Sequence, residues 1–295
     1  VRDPSVDKWT SISRRNARSV QTTIGWIFWD PGAVTRYETR GLPAGLGYLA
    51  ARAAPFAGAG PDALIAAFGS ISDQAIRYLF QVLTTPAMFI DVWRDRNAAV
   101  LDGLQTYAPE IIAPLIAYGP DLWNVVAQLP TAGRPFSASH LSLDVPDHPV
   151  LSGWHAVNFI REWRGDTHWG LVAANGLSGG EASILHNAWL GYDGDWLSLS
   201  RANSQEAIDA SWASLELKGL ASKRRVTAEG HALRQFIEDE TDRLTAQPWQ
   251  LLGRGESLRF AELFEPPCEK LLARVDETAG PNFQPASRTR GAEAT

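Results

Sequence analysis

Between positions 154 and 169 the sequence sets two imidazoles, His155 and His168, beside Glu162, Arg161, Arg164 and Asp166, interleaved with Trp154, Phe159, Trp163 and Trp169. On a helix, His155, Phe159 and Glu162 share a stripe, because offsets of four and seven return to the same face. An imidazole and a carboxylate in one cleft could do general acid–base work near neutral pH. Arg161 or Arg164 could hold an anionic substrate through a bidentate fork, and His168, at the start of a following helix, could face the same space. Arg52 and the aromatic residues would complete the wall. The same residues also suit a purely structural role: an ion-pair network bracing a helix corner, Asp166 as a cap and His155 as a hydrogen-bonded core side chain. Both readings are carried forward.

Other chemistries find less support. Glu181 and His186 are five apart, which does not put them on one helix face, and no His-Glu-x-x-His phrase occurs, so no metal site is expected. There is no Gly-x-Ser-x-Gly elbow, P-loop or Gly-x-Gly-x-x-Gly turn, so no cofactor is expected either. The single cysteine, Cys268, has no local base and rules out an intramolecular disulfide or a multi-cysteine metal site. A reducing, cytoplasmic setting is expected. With 295 residues, 45% hydrophobic, and a net charge of −6, the chain is long enough for a sizeable core and lacks the overall basic footprint of a nucleic-acid binder. No apolar run reaches the roughly 18–20 residues of a membrane span. Twelve tryptophans point to an indole-rich core before they point to a ligand cage.

The elements that must position these residues are read from periodicity and punctuation. Residues 14–29 have a 3.6-residue apolar period and stop at Asp30-Pro31-Gly32; helices are expected over 46–54, 61–68, 72–83, 86–102, 109–117 and 121–129. Residues 130–149 hold Pro130, Gly133, Pro135, Pro146 and Pro149 and read as an extended connection. Beyond it, 154–164 is a helix apolar nearly all round, which demands burial on several sides. Gly165-Asp166 should break it and open a second helix over 167–175. Ser178 to Glu181 is a capping box opening 179–190, and Asn203 to Glu206 repeats the pattern for 204–218. Residues 220–226 read as two short strands around a basic turn, Thr227 caps a long helix to about 246, and a last helix covers 256–273. The expected units are a helical domain over 1–129, a connecting segment over 130–150, a winged-helix domain over 151–275 and a flexible tail over 276–295.

Helix, connector, helix, Lys218-Gly219-Leu220, a basic wing and Val226-Thr227-Ala228-Glu229-Gly230-His231-Ala232-Leu233 together resemble the winged-helix core of MarR-type proteins. A wider resemblance, over roughly residues 15–270, is to an actinobacterial group described as helix-turn-helix proteins. It is carried by Gly47-Tyr48-Leu49-Ala50-Ala51-Arg52-Ala53-Ala54-Pro55, by Trp154-His155-Ala156 through Arg161-Glu162-Trp163-Arg164-Gly165-Asp166-Thr167-His168, and by Thr241-Asp242-Arg243-Leu244. The resemblance implies a fold and leaves activity open. Where that group has an aromatic and Asn phrase, this chain reads Phe68-Gly69-Ser70-Ile71, a departure that allows a different role.

A winged helix reads DNA with the start of its recognition helix. Here that start carries Glu206 and Asp209 and no Lys or Arg; Ser204 and Gln205 are the only readers, with Arg201 just before and Lys223, Arg224 and Arg225 on the wing. DNA binding is therefore expected to be weak or absent. The expected fold is mainly α, a helical N-terminal half packed on a winged-helix C-terminal half with a small β wing. The expected function is binding of a small, partly apolar or aromatic organic molecule between the halves, with cofactor-independent acid–base catalysis as an added option. The alternatives are a MarR-type ligand-responsive transcription regulator and a structural or interaction protein without a ligand. The oligomeric state is not readable.

Overall fold

The computed structural model describes residues 4–280 and Phe283. Helix α1 (Pro4–Gly25) runs into a 3-10 turn, Trp26–Trp29, and the chain then turns at Asp30. The Asp30 carboxylate accepts hydrogen bonds from the backbone N–H groups of Gly32 (2.8 Å) and Ala33 (3.4 Å). The Asp-Pro-Gly phrase expected only as a stop is thus also a start: it caps α2 (Pro31–Thr39), with Pro31 in the first turn, where its missing N–H costs nothing. Helices α3 (Ala44–Ala53), α4 (Pro61–Phe68), α5 (Asp73–Val82) and α6 (Pro86–Tyr107) follow, and the last three begin close to where the prolines and Ser72 place them. The two helices expected over 109–129 are one, α7 (Ile112–Val126), continuous through Pro120. Proline removes the hydrogen bond to the carbonyl four residues back, and that residue, Ile116, is on the exposed side of the helix, 44% exposed.

Two expectations about the middle of the chain are corrected. The segment read as an extended connection contains α8 (Pro135–His140), and α9 (Pro149–Ala174) is a single 26-residue helix that passes through Gly165-Asp166 without a break. A mid-helix glycine costs only about 1 kcal/mol relative to alanine, little against the burial of Trp154, Phe159 and Trp163, all 0% exposed. Asp166 does not cap its own helix either. Its carboxylate accepts from Phe136 N (3.2 Å) and Ser137 N (2.7 Å), the first free N–H groups of α8. A side chain occupied elsewhere no longer competes for its own backbone.

After α9 the chain forms α10 (Gly179–Leu190), α11 (Trp196–Ser200), α12 (Gln205–Leu217), the antiparallel strands β1 (Ala221–Ser222) and β2 (Arg225–Val226), then α13 (Ala228–Leu244), α14 (Gln247–Leu252) and α15 (Arg254–Thr278). The Ser178–Glu181 capping box is complete, with both reciprocal bonds present. The second box is not: Ser204 caps α12 by accepting from Ala207 N, so Asn203 lies outside the helix and Glu206 has no capping partner. The protein is mainly helical, with this hairpin as the only sheet among the described residues. Among the described residues, no helix is long and apolar enough to cross a membrane. The flexible tail expected over 276–295 begins inside α15, and most of it lies outside the described residues.

One hydrophobic cluster gathers α1, α3, α6 and α7 around most of α9 and is closed by Trp249, Phe260, Phe264 and Leu271 of α14 and α15. A second cluster joins α10, α12 and α13 around Val172 and Leu177. Helix α9 therefore runs through both. Its tightest neighbour is α7: Gly119 and Gly153 face each other, and a Cβ on Gly153 would come within 2.0 Å of the Leu115 carbonyl oxygen. Backbone cannot yield there as a side-chain tip can. Gly153→Ala should destabilise by about 1–3 kcal/mol through overpacking, whereas Gly170→Ala, on the same helix with nothing within 4 Å, should gain about 0.5–1 kcal/mol of helix propensity. Chemical denaturation of the two variants checks the contrast; equal effects would mean that the α7–α9 contact is not close.

Candidate functional site

A cavity of about 790 Å³ lies between α1 and α3 of the first half and α9, α10, α11 and α13 of the second. Its walls combine aromatic rings, among them Phe28, Tyr48, Phe68, Trp169 and Trp196, with six arginines and two glutamates. The size suits a small organic molecule.

The floor is built on α9. Glu162 is 1% exposed and is held by two guanidiniums: Arg52 of α3 grips it with both arms (3.1 and 2.9 Å), and Arg161 reaches the same carboxylate at 2.5 Å. Arg161 also donates to Gln21 of α1 (2.9 Å), and Arg52 lies 4.6 Å from the centroid of the Phe68 ring. Burial alone would drive the Glu162 carboxyl to hold its proton, but Arg161 and Arg52 outweigh it and bring its pKa down to about 2. Two residues on, Arg164 forms ion pairs with Glu238 (2.8 Å) and Asp242 (2.9 Å) of α13, and Asp242 accepts a hydrogen bond from Arg14 of α1 (2.7 Å). Arg234 completes this group by donating to Glu238 at 2.8 Å. Gly165, the next residue on α9, leaves the cavity open: a Cβ there would meet only Glu162 Oε2 at 3.7 Å.

Six of the residues singled out from sequence line this space: Arg52, Arg161, Glu162, Arg164, His168 and Trp169. The His168 Nδ1 sits 3.2 Å from Thr241 Oγ1, whose own hydroxyl hydrogen goes to the Ile237 carbonyl (2.6 Å). Nδ1 must therefore be the protonated nitrogen and the donor. Burial, reinforced by Arg234, lowers the His168 pKa to about 3, so the ring is neutral.

The other four stand outside the cavity. His155 is 7% exposed, bonded to Asn97 Oδ1 (3.2 Å) and set between the Trp93 and Trp154 rings. Burial, then Arg96, holds it neutral. It does share a helix stripe with Glu162, but seven residues advance a helix by about 10 Å, far enough for the stripe to pass from the cavity to the underside of α6. Trp154 and Trp163 are core residues whose indole N–H groups donate to the Thr23 and Pro130 carbonyls, each at 2.8 Å, and Phe159 is wholly enclosed. His155, Glu162 and His168 thus do not converge on one point.

Residues named for DNA contact divide in a similar way. Arg201 turns into the cavity. Ser204 is spent as a cap and Gln205 donates to Asp209 (2.9 Å). On the hairpin, Lys223 and Arg224 both take positive φ, as a two-residue turn of this kind requires. Arg224 folds back to pair with Asp209 (2.6 Å) and Asp195 (2.8 Å), while Lys223 and Arg225 are exposed.

Sequence reasoning missed Tyr48, Ser183, His186 and Arg234 as wall residues. They lie on three different helices, and only Tyr48, four residues before Arg52, carried a local signal. The Phe68-Gly69-Ser70-Ile71 departure also falls here: Phe68, Ser70 and Ile71 line the cavity, and Gly69, at φ +68°, packs so closely on Trp169 that a Cβ would lie 2.4 Å from its ring. Among the described residues no group of three His, Cys, Asp or Glu could hold a metal ion. Cys268 is buried, its thiol pushed up to about 12 by burial.

The Glu162 assembly makes a prediction about pH. Its pKa is depressed from about 4.5, so the stabilisation is fully present above that value and is lost as pH falls toward about 2. Glu162→Gln leaves two guanidiniums without their partner and should cost about 3–5 kcal/mol at pH 7. The gap between wild type and variant should stay level down to about pH 5 and then close between pH 4.5 and 2. A gap unchanged at pH 3 would show that Glu162 is not an ionised partner.

No curated protein and no solved structure matches this chain. Residues 13–278 match the helix-turn-helix family, a span that takes in α1 from Ser13 onward, the hairpin, all of α15 and nearly all of the cavity lining. On that match, the protein belongs to the helix-turn-helix family.

Proposed function

We propose that this protein binds a small organic molecule in the cavity between its two halves, using α10–α13 and the hairpin as a winged-helix scaffold of the MarR type. The observation that carries the reading is the cavity itself: about 790 Å³, walled by aromatic rings and arginines contributed by both halves. Binding is favoured over acid–base catalysis by the state of the titratable groups. Glu162 is saturated by two guanidiniums, His168 is neutral with its pKa lowered to about 3, and His155 is elsewhere. A base so weak and a carboxylate so fully engaged have little proton affinity to offer near pH 7.

A ligand-responsive regulator of DNA is the second reading, favoured by the family and by the exposed Lys223 and Arg225. The start of α12 works against it, since Glu206 and Asp209 are exposed there and Asp209 ties down the wing arginine. Anisotropy with duplex DNA should therefore show weak, sequence-independent affinity at most at physiological salt; tight and selective binding would favour the regulator.

The binding reading is tested by titrating aromatic and amphipathic compounds, acids and neutral molecules alike, while following Trp emission and thermal stability. Trp169 and Trp196 line the cavity and should report an occupant. A ligand at 100 times its Kd should stabilise the fold by about 2.7 kcal/mol. Gly165→Leu provides the control, because the new side chain fills open space on a helix that gains propensity from it. The variant should fold and lose binding. Ligands that bind it as well as wild type would place their site elsewhere.

A further inference from the structure

Within the cavity the arginines are not equivalent. Arg52 and Arg161 share Glu162, Arg164 and Arg234 share Glu238, and Arg18 pairs with Glu269. Arg201 is in no ion pair among the described residues; its side chain makes one bond, from Nη1 to Ser183 Oγ at 3.2 Å. Its Nε and Nη2 have no hydrogen-bond partner among the described residues, and the residue lines the cavity. The adjoining wall is short of acceptors as well. Arg234 Nη1 and His186 Nε2, on α13 and α10, are buried with no hydrogen-bond partner among the described residues. Burial and the nearby Arg52 and Arg234 charges depress the Arg201 pKa to about 10, which leaves it cationic at neutral pH.

The backbone is spent on keeping Arg201 in place. Its carbonyl accepts from Ser72 N (3.0 Å), Asn203 donates to the Ser70 carbonyl (3.2 Å), and Ala202 between them sits at φ +59°. That left-handed conformation is strained for a residue with a Cβ. A cation withdrawn from bulk water without a counter-charge is costly, and an arriving anion removes the cost.

We propose that Arg201 anchors the carboxylate of an organic monoanion whose apolar or aromatic body lies against Phe68, Trp169 and Trp196. This rests on the cavity as the binding site and adds the class of ligand. One unpaired guanidinium matches one negative charge, and its planar fork fits a carboxylate through two parallel bonds. The rings that line the same cavity suit an apolar body better than a second charged group.

The test compares 2-naphthoate, the neutral 2-naphthamide and 2-naphthyl phosphate by calorimetric titration of the full chain, in wild type and in Arg201→Met. The acid should bind wild type about 10- to 100-fold tighter than the amide, and Arg201→Met should erase that preference while leaving amide binding in place. Ligand-free Arg201→Met should melt no lower than wild type, since it removes an unpaired charge; a structural arginine would give a lower Tm. Should that variant fail to fold, Ser183→Ala removes only the hydroxyl that orients Nη1 and should narrow the preference several-fold. Equal binding of acid and amide to wild type, including no binding of either, overturns the proposal, as does a preference that survives Arg201→Met. Tighter binding of the phosphate overturns the carboxylate assignment. The amide reports the cavity and the acid–amide difference reports Arg201, so a failure of this inference is distinguishable from a failure of the reading beneath it.

Discussion

Glu162 keeps its charge in the interior because guanidiniums from two directions reach it, Arg52 from α3 and Arg161 from its own helix, and the latter is steadied by Gln21 of α1. Desolvating a carboxylate costs several kcal/mol unless its lone pairs are met by charge-assisted bonds. The requirement works as a constraint on geometry. Helices α1, α3 and α9 can satisfy it only in one mutual arrangement, because a guanidinium fork has little tolerance for displacement. The cavity opens directly above this assembly, so its floor is as rigid as the ion pair.

A second buried group repeats the device two residues further along α9. Arg164 ties α9 to Glu238 and Asp242 of α13, and Asp242 is shared with Arg14 of α1. Two ion-pair groups on one helix, both just before Gly165, thus hold elements from both halves at a fixed separation, and the space left between them is the cavity. Hydrophobic packing supplies most of the stabilisation and says little about where a void should remain. The polar groups decide that, since each must find its partner across the gap.

The charge left over is as informative as the charge that is paired. Six arginines against two glutamates line the space, and the acidic side chains that balance the others, Asp242 and Glu269, lie behind the walls. Arg201 has no such backing. On the far side of α11 the hairpin shows the opposite economy, with Arg224 consumed by Asp195 and Asp209. One basic residue that sequence suggests for an outer face is turned inward, and another is neutralised at the surface.

Sequence alone determined much of the local structure. Pro61 and Pro86 in first turns, the Ser178–Glu181 box, the Thr227 cap and the two short strands around Lys223-Arg224 all follow from hydrogen bonds and torsions that span a few residues. It also brought Arg52, Arg161, Glu162, Arg164, His168 and Trp169 under suspicion, because charges and rings crowded onto an apolar helix need partners wherever that helix packs. What tertiary structure decided were the matters settled by distant segments. Asp166 reads as the cap of its own helix until α8 claims its carboxylate, and Gly165 reads as a break until burial of the helix around it outweighs about 1 kcal/mol of propensity. His155 and Glu162 share a stripe in sequence yet face different neighbours, since periodicity gives the face of a helix and not what lies against each turn of it. Whether an arginine meets a carboxylate, as Arg52 does, or an open cavity, as Arg201 does, depends on side chains more than a hundred positions away or on their absence, and no local pattern encodes either.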